Sequence, residues 1–422
     1  MAEAPILALE HPSRDIFGRS ARTLLEHQII LGVTSSISQY RSIDLARELM
    51  RRGAEVYPVL SPKAAELISP EMWRWATGHR PFVKFAGELG HISLARRASA
   101  MVIAPATANT IAKIAHGIAD TSVTLLAQVM VGMGKRVILV PAMHEPMYRS
   151  PSLVDALNRC RDMGIHILPP VIEEGKAKIP AVSFIADKVE ASILRGEDLR
   201  GVRILVTAGP TREHLDPVRF LSNPSSGKMG VAIASEASYR GASATLIHGP
   251  ISIPIPPWLK TVEVVSAEDM LRAIEKAIDD ERPEAIVLSA APADFRFSRR
   301  EASKISSEHG APEVRLELTP KIAEHIRRRA SETLIVGFAA ETVDSEEELV
   351  ERAYRKLRKY GFDYIVANYV GKPGTGFGYD TDEAIVLDSS GKIISKGYML
   401  KREWARVVVD IIAKTLGRNR EI

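Results

Sequence analysis

Cysteine is nearly absent: Cys160 is the only one in 422 residues. That excludes an internal disulfide framework and fits a reducing compartment, so a cytoplasmic protein is expected. Long apolar runs are missing too. The best candidate, Val123 to Val140, is broken by Gly132, Gly134, Lys135 and Arg136, short of the ~18 apolar residues a membrane helix needs. The opening residues, MAEAPILALEHPSRDIFG, contain acids and no sustained apolar core, which argues against a secretory signal. Neither sign of charge is in marked excess, with 56 Lys and Arg against 52 Asp and Glu. Basic residues are interspersed with acids, as in ELMRRGAE, so acidic metabolites are compatible partners and nucleic acid is not expected. No G-x-G-x-x-G followed by an acidic residue on the next strand is found, which counts against a dinucleotide oxidoreductase.

What is present suffices for two ordinary domains, with 45% hydrophobic and 26% charged residues. Residues 1–27 read as an irregular arm with a short helix around Ser20–Glu26. From Gln28 onward, short apolar runs alternate with helical periodicity. QIILGV, AEVYPVL, AMVIAPAT, RVILVPAM and IHILPP are strand candidates; SIDLARELMRRG, Lys63–Ile68, TIAKIAHG and SLVDALNRCRDMG are helical. A charged passage, RGEDLRG, places a domain boundary near residue 195, giving domains 1–194 and 195–422. Beyond it, RILVTAG, SATLIHG, TVEVV, AIVLSAAPAD, TLIVGFAAET and YIVANYV read as strands. Gly230–Gly241, Ala267–Asp280 and Ser345–Tyr360 read as helices. Such alternation predicts an α/β protein with two doubly wound, Rossmann-like domains, each a mostly parallel sheet with helices on both faces.

The most informative stretch is ILVTAGPTREHLDPVRFLSNPSSGKMG, Ile204 to Gly230. A strand runs into a polar loop and then into a glycine- and serine-rich turn opening a helix near Met229. Backbone N–H groups, hydroxyls and the helix start suit a bound anion. An exposed loop holding Thr211, Arg212, Asp216, Arg219, Asn223, Ser225, Ser226 and Lys228 is too polar for a mere connection. In the first half, LGVTSSISQYRS and APATANTIAKIAHGIAD place serine- and threonine-rich turns after strands. Those hydroxyls serve either a phosphate or ordinary caps and turns.

AGPTREHLDPVRFLSNPSSGKMG resembles the nucleotide-binding signature of phosphopantothenate–cysteine ligases. The first half resembles their usual fusion partner, the FMN-dependent phosphopantothenoylcysteine decarboxylases. Together the resemblances cover about Gln28 to about Ala413. They imply a flavodoxin-like decarboxylase fold followed by a ligase fold. They also imply a bifunctional enzyme of coenzyme A biosynthesis. The ligase would join 4′-phosphopantothenate to cysteine through an acyl-nucleotidyl intermediate, using CTP and Mg2+. The decarboxylase would then convert phosphopantothenoylcysteine to 4′-phosphopantetheine with FMN. Homo-oligomers are implied as well: trimer-based in the flavoprotein half, with the flavin site between subunits, and dimeric in the ligase half. The alternatives are another flavoprotein oxidoreductase, or a non-catalytic flavin-binding scaffold for the first half.

Residue by residue, the resemblance implies flavin contacts at Thr34, Ser35, Ser61, Thr107 and Asn109. His91, in GELGHISLARRA, matches the active-site histidine that orients and deprotonates the substrate; without the match it reads as a helix cap. His144, in PAMHEPMYRSP, stands where the family usually has asparagine in a substrate-carboxylate loop, and otherwise reads as an exposed loop residue. The passage IEEGKAKIPAVSFI lacks the flap cysteine of bacterial members, which leaves Lys176, Lys178 or solvent as the final proton source. Cys160 sits too early and reads as packing. In the second half, Asn223 matches the asparagine that holds the acyl-nucleotide. Lys304 keeps the first lysine of a K-x-K-K pattern that assists amide formation, while Ser306 and Ser307 replace later ones. Nucleotide and substrate contacts are implied at Gly209, Thr211, Arg212, Ser225, Ser226, Gly227, Lys228, Asp294, Phe338, Ala339, Glu341, Asn368, Lys372 and Phe377. Asp294 also reads as a turn cap.

Overall fold

The computed structural model describes residues 11–85, 90–307 and 310–418, so the first ten residues of the arm lie outside the described residues. The chain divides into two compact units between Gly196 and Glu197.

The first unit is built on five parallel strands: Gln28–Val33, Glu55–Leu60, Ala100–Ala106, Arg136–Pro141 and His166–Ile167. Numbered along the chain, they lie in the order 2-1-3-4-5. Parallel strands are covered on both faces and so read as unbroken apolar runs; every residue of Ala100–Ala106 is buried. The helices Tyr40–Arg51 and Val182–Leu194 pack together. Ala108–Ala115, Ser122–Gly132 and Pro151–Asp162 share the opposite core through Ile111, Leu126, Leu157 and Cys160. The apolar passage Val123–Val140 thus resolves into a helix and a strand, turned at Gly134. The helix expected over Ser20–Glu26 is not formed. Thr23–Glu26 is only a turn, and the helical piece is a single 3-10 stretch at Pro12–Ile16, capped by His11 and started by proline.

The main sheet of the second unit has eight strands: Arg203–Ala208, Ser243–His248, Lys260–Glu263, Ala285–Leu288, Leu334–Glu341, Tyr364–Tyr369, Thr381–Asp388 and Ile393–Leu400. Their order is 3-2-1-4-5-6-7-8. The first six are parallel and the last two form an antiparallel extension. Side chains alternate strictly between two cores, as a strand's period of two requires. Ile204 and Val206 face the helices Lys228–Tyr239 and Lys401–Thr415, whereas Leu205 faces Ala267–Glu281. Trp404 is fully buried, with its indole N–H donated to the Asp382 carbonyl at 3.0 Å. Burying a side chain of that kind contributes on the order of 3 kcal/mol.

Both orders reverse direction once, between strands 1 and 3 in the first unit and strands 1 and 4 in the second. Loops leaving adjacent strands there run to opposite faces, opening a crevice beyond the strands' carboxyl ends.

Candidate functional site

In the first unit the crevice is a cavity of about 740 Å³. Its rim carries Ser35, Ser36, Ser38, Thr107 and Asn109 from the two loops at the reversal. Its wall includes Ile37, Met143, Met147 and Ile179. Thr34 is adjacent and spent on structure: its hydroxyl donates to the Pro105 carbonyl at 2.7 Å and accepts from Thr107 N–H at 3.1 Å, tying the loops together. Ser36 caps the next turn, taking the Ser38 N–H. His144 and Lys176 also line the cavity, paired across a small sheet in which Val171–Glu173 and Lys176–Lys178 form a hairpin. Arg41 fixes the far side through the Ile179 carbonyl at 2.8 Å.

Ser61 does not line this cavity; its hydroxyl caps the Pro62–Leu67 helix. Nor does His91, which begins the Gly90–Arg97 helix with its ring edge-on to Phe85 at 5.6 Å. Its Nδ1 is buried without a hydrogen-bond partner, which is costly for a purely structural residue. Cys160 is fully buried, and burial pushes its thiol up to about 11 against the opposing charge of Arg161. It is a packing residue. The donor set fits a flavin mononucleotide: hydroxyls and loop N–H groups at one end suit a phosphate, and an apolar wall suits a ring.

In the second unit the crevice measures about 390 Å³ and gathers Asn223, Ser225, Ser226, Gly227, Lys228, Asp294, Phe338, Ala339, Asn368 and Phe377. Gly227 has φ +78 and caps the Lys228–Tyr239 helix, whose first-turn N–H groups lack intrahelical acceptors. Gly230 lets that helix approach the sheet: a Cβ there would lie 2.6 Å from Ala208 Cβ and 2.7 Å from the Thr207 carbonyl. Asn223 donates its amide to the carbonyls of Ala291, at 3.2 Å, and Pro292, at 3.0 Å, bridging the two loops of the reversal. Asp294 is paired with Lys321.

Several of the expected contacts, Gly209, Thr211, Arg212, Glu341 and Lys372, do not line this crevice. Thr211 and Asp216 are fully buried, which corrects the expectation of an exposed loop. Thr211 Oγ donates to Glu213 and accepts from Ala293 N–H. Burial pushes the Asp216 carboxyl up. It is nonetheless held at about 2 by N–H donors from Arg219, Val218 and Ile305 and by the Arg219 charge. Gly209 takes the Ala291 N–H at 2.9 Å. Arg212 lies over the Phe220 ring and lines a separate cavity, Glu341 pairs with Lys356 and Arg352, and Lys372 lies over Tyr369. Lys304 is exposed and does not line the crevice.

Sequence reasoning missed Ser289, Lys356, Asp382 and Lys401, all of which line the crevice. Asp382 lies just past a glycine-rich passage, Gly371 to Gly378, and Lys401 opens the Lys401–Thr415 helix at a position where a lysine is ordinarily solvated. Burial pushes the Asp382 carboxyl up and the Lys401 ammonium down from their ordinary values. Among the described residues no group of three or more His, Cys, Asp or Glu is placed to hold a metal ion. No helix among them is long and apolar enough to cross a membrane.

A family model described as DNA/pantothenate metabolism flavoprotein C-terminal domain matches residues 199–416, and one described as flavoprotein matches residues 18–194. Among curated proteins, the coenzyme A biosynthesis bifunctional protein CoaBC of Thermococcus kodakarensis is 38% identical over 96% of this chain and 100% of its own. The protein of that name from Methanocaldococcus jannaschii is 36% identical over 89% of this chain and 91% of its own. The Escherichia coli protein is 33% identical over 85% and 90%. Both crevices therefore sit in a chain that belongs to the family of coenzyme A biosynthesis bifunctional proteins CoaBC.

Proposed function

We propose that the two crevices perform successive steps of coenzyme A biosynthesis, the second unit ligating and the first decarboxylating. The observation that carries this is the pairing of donor chemistries. One crevice has a helix start and two lysines, Lys228 and Lys356, for a polyphosphate, and the other joins a hydroxyl-rich rim to an apolar wall.

A carboxylate is a poor electrophile, so amide formation in water needs activation. In the ligase crevice the carboxylate oxygen of 4′-phosphopantothenate attacks the α-phosphorus of CTP, and pyrophosphate leaves with the bonding pair. The cysteine amine then attacks the acyl carbon, CMP departs and the nitrogen loses a proton. The helix start, Lys228 and Lys356 neutralise phosphate charge. Lys228 is free to do so, because its ion pair with Asp380 is a surface contact, 80% exposed on the aspartate side. Asn223 orients the acyl-nucleotide, with Ser225, Ser226, Asp294 and Asn368 around it. Mg2+ enters as part of the metal–triphosphate substrate, held by phosphate oxygens and water. Lys304 assists amide formation only once its loop moves or a second copy supplies it.

In the flavoprotein crevice, Ser35, Ser36 and Ser38 hold the FMN phosphate, and Thr107 and Asn109 bind beyond it. Ile37, Met143 and Met147 keep water from the ring. When bound, the flavin would take two electrons from the cysteinyl CH2–S unit, which makes loss of the neighbouring carboxylate possible, and would return them to the resulting enethiol, so that the overall decarboxylation is redox-neutral. His144 donates to that carboxylate, and Lys176 or Lys178 provides the final proton in place of the missing flap cysteine. His91, lying outside the cavity with an unpartnered nitrogen, completes the site from a neighbouring copy in a trimer-based assembly; the ligase halves pair as dimers.

The test separates the half-reactions. His91→Asn is expected to abolish carbon dioxide release from phosphopantothenoylcysteine and to leave pyrophosphate release from CTP intact. Mixed assemblies of His91→Asn with Asn109→Asp chains are expected to regain part of the decarboxylation. Wild-type carbon dioxide release from His91→Asn alone would refute the assignment.

A further inference from the structure

Two buried charges at the ligase crevice have no part in the chemistry above. Lys401 is 7% exposed and Asp382 4%. They do not pair directly; they grip one residue from opposite sides. Asp382 accepts the Gly376 N–H at 3.1 Å, and Lys401 Nζ donates to the Gly376 carbonyl at 2.7 Å. Each charge thus meets the backbone group of complementary polarity, in surroundings where such bonds are strong. Gly376 has φ +87, a conformation open to glycine.

The rest of the loop is fastened to the same two groups. Asp382 also takes the Thr375 hydroxyl at 2.8 Å and the Asn368 amide at 3.2 Å. Lys401 Nζ reaches the Tyr379 carbonyl at 2.8 Å, and its own N–H donates to the Asp380 carbonyl. Lys228 adds a contact to Gly378 at the exposed end. Gly376, Phe377, Asn368, Asp382 and Lys401 all line the crevice.

We propose that Lys401 and Asp382 are positioning residues of the ligase half. They clamp the 371–380 loop so that Gly376 and Phe377 form one fixed wall against the nucleotide. The inference rests on the ligase reading of this crevice. A wall present before and during reaction binds ground state and transition state alike, so its loss appears in KM more than in kcat. Buried ammonium donors hold two carbonyls that a neutral side chain would leave unpaired.

The test uses the full chain. Lys401→Met is expected to speed backbone hydrogen exchange across residues 371–380, raise KM for CTP about tenfold and leave kcat within about threefold. Burial favours loss of the Lys401 proton, so KM is expected to rise on the alkaline side, and Lys401→Arg, which stays charged, is expected to keep KM near the wild-type value at neutral pH and to move that rise to higher pH. The charged groups facing Lys401 are Asp382, Asp380 and Lys228. Unchanged exchange and unchanged KM in Lys401→Met would overturn the proposal, as would a fall in kcat at constant KM. If Lys401→Met fails to fold, Thr375→Val, which strips one donor from Asp382, is read by the same two measurements. Absence of pyrophosphate release from wild type with CTP, cysteine and 4′-phosphopantothenate would remove the ligase reading itself. Wild-type turnover with indifferent variants would remove only the clamp.

Discussion

Replacing Asn223 separates geometry from mere polarity in the ligase crevice. Its amide nitrogen makes two hydrogen bonds, to the Ala291 and Pro292 carbonyls. Each is worth about 1 kcal/mol net. Asn223→Ala loses both, about 2 kcal/mol, which at about 1.4 kcal/mol per tenfold is roughly a 30-fold fall in kcat/KM. Asn223→Asp has nearly the same shape and does worse. Its carboxylate offers no N–H to either carbonyl and faces both with like partial charge, adding about 1–2 kcal/mol. The expected fall is several hundred-fold. The assay is pyrophosphate release from CTP in the presence of cysteine and 4′-phosphopantothenate, with carbon dioxide release from added phosphopantothenoylcysteine as the internal control. That control is expected to stay at the wild-type rate, because the first unit has its own core and crevice. If Asn223→Asp ligated as well as Asn223→Ala, the bridging role would be wrong.

Gly230→Ala would drive a Cβ to 2.6–2.7 Å from Ala208, Ser289 and the Thr207 carbonyl. Overpacking of that kind costs about 1–3 kcal/mol, read as a lower urea midpoint for the second unit together with a raised KM for CTP. Cys160, with a thiol pushed up to about 11 by burial, is expected to resist maleimide at pH 8 in the native protein and to react once urea exposes it. Asp216 bears on acid stability. Its folded value of about 2 lies below the ordinary 3.8. Its contribution is therefore complete above about pH 4 and is lost as pH falls through about 2. Asp216→Asn should flatten the pH dependence of unfolding in that window, measured by circular dichroism; an unchanged slope would refute it.

Much of the fold was legible because parallel strands and amphipathic helices write different periods into the chain. QIILGV and RILVTAG could hardly be anything but buried strands. The antiparallel extension Thr381–Leu400 was not legible: the burial of Ile393–Leu400 alternates between partial and exposed, as an edge strand's does, and charged residues interrupt it. The Val182–Leu194 helix buries Lys188 and Glu190, so its pattern is not cleanly amphipathic. In the ligase crevice the glycine–serine turn announced itself, since only such residues allow the close approach at Gly230. Lys401 did not, because a lysine at a helix start is ordinarily solvated. Thr211 and Asp216 read as parts of an exposed polar loop and are buried: Asp216 takes the nearby Val218 and Arg219 N–H groups, whereas Thr211 takes the N–H of Ala293, a distant partner that no local pattern reveals. His91 was visible as a candidate, but a sequence does not say which crevice a histidine serves.

The proposed function makes the product of one crevice the substrate of the other. Cysteine labelled at its carboxyl carbon tests it in one measurement, with wild-type protein, FMN, Mg2+ and 4′-phosphopantothenate. Labelled carbon dioxide is expected only when CTP is also present, approaching one equivalent per pyrophosphate released. Label lost without CTP, or pyrophosphate formed with the label retained in the final product, would contradict it.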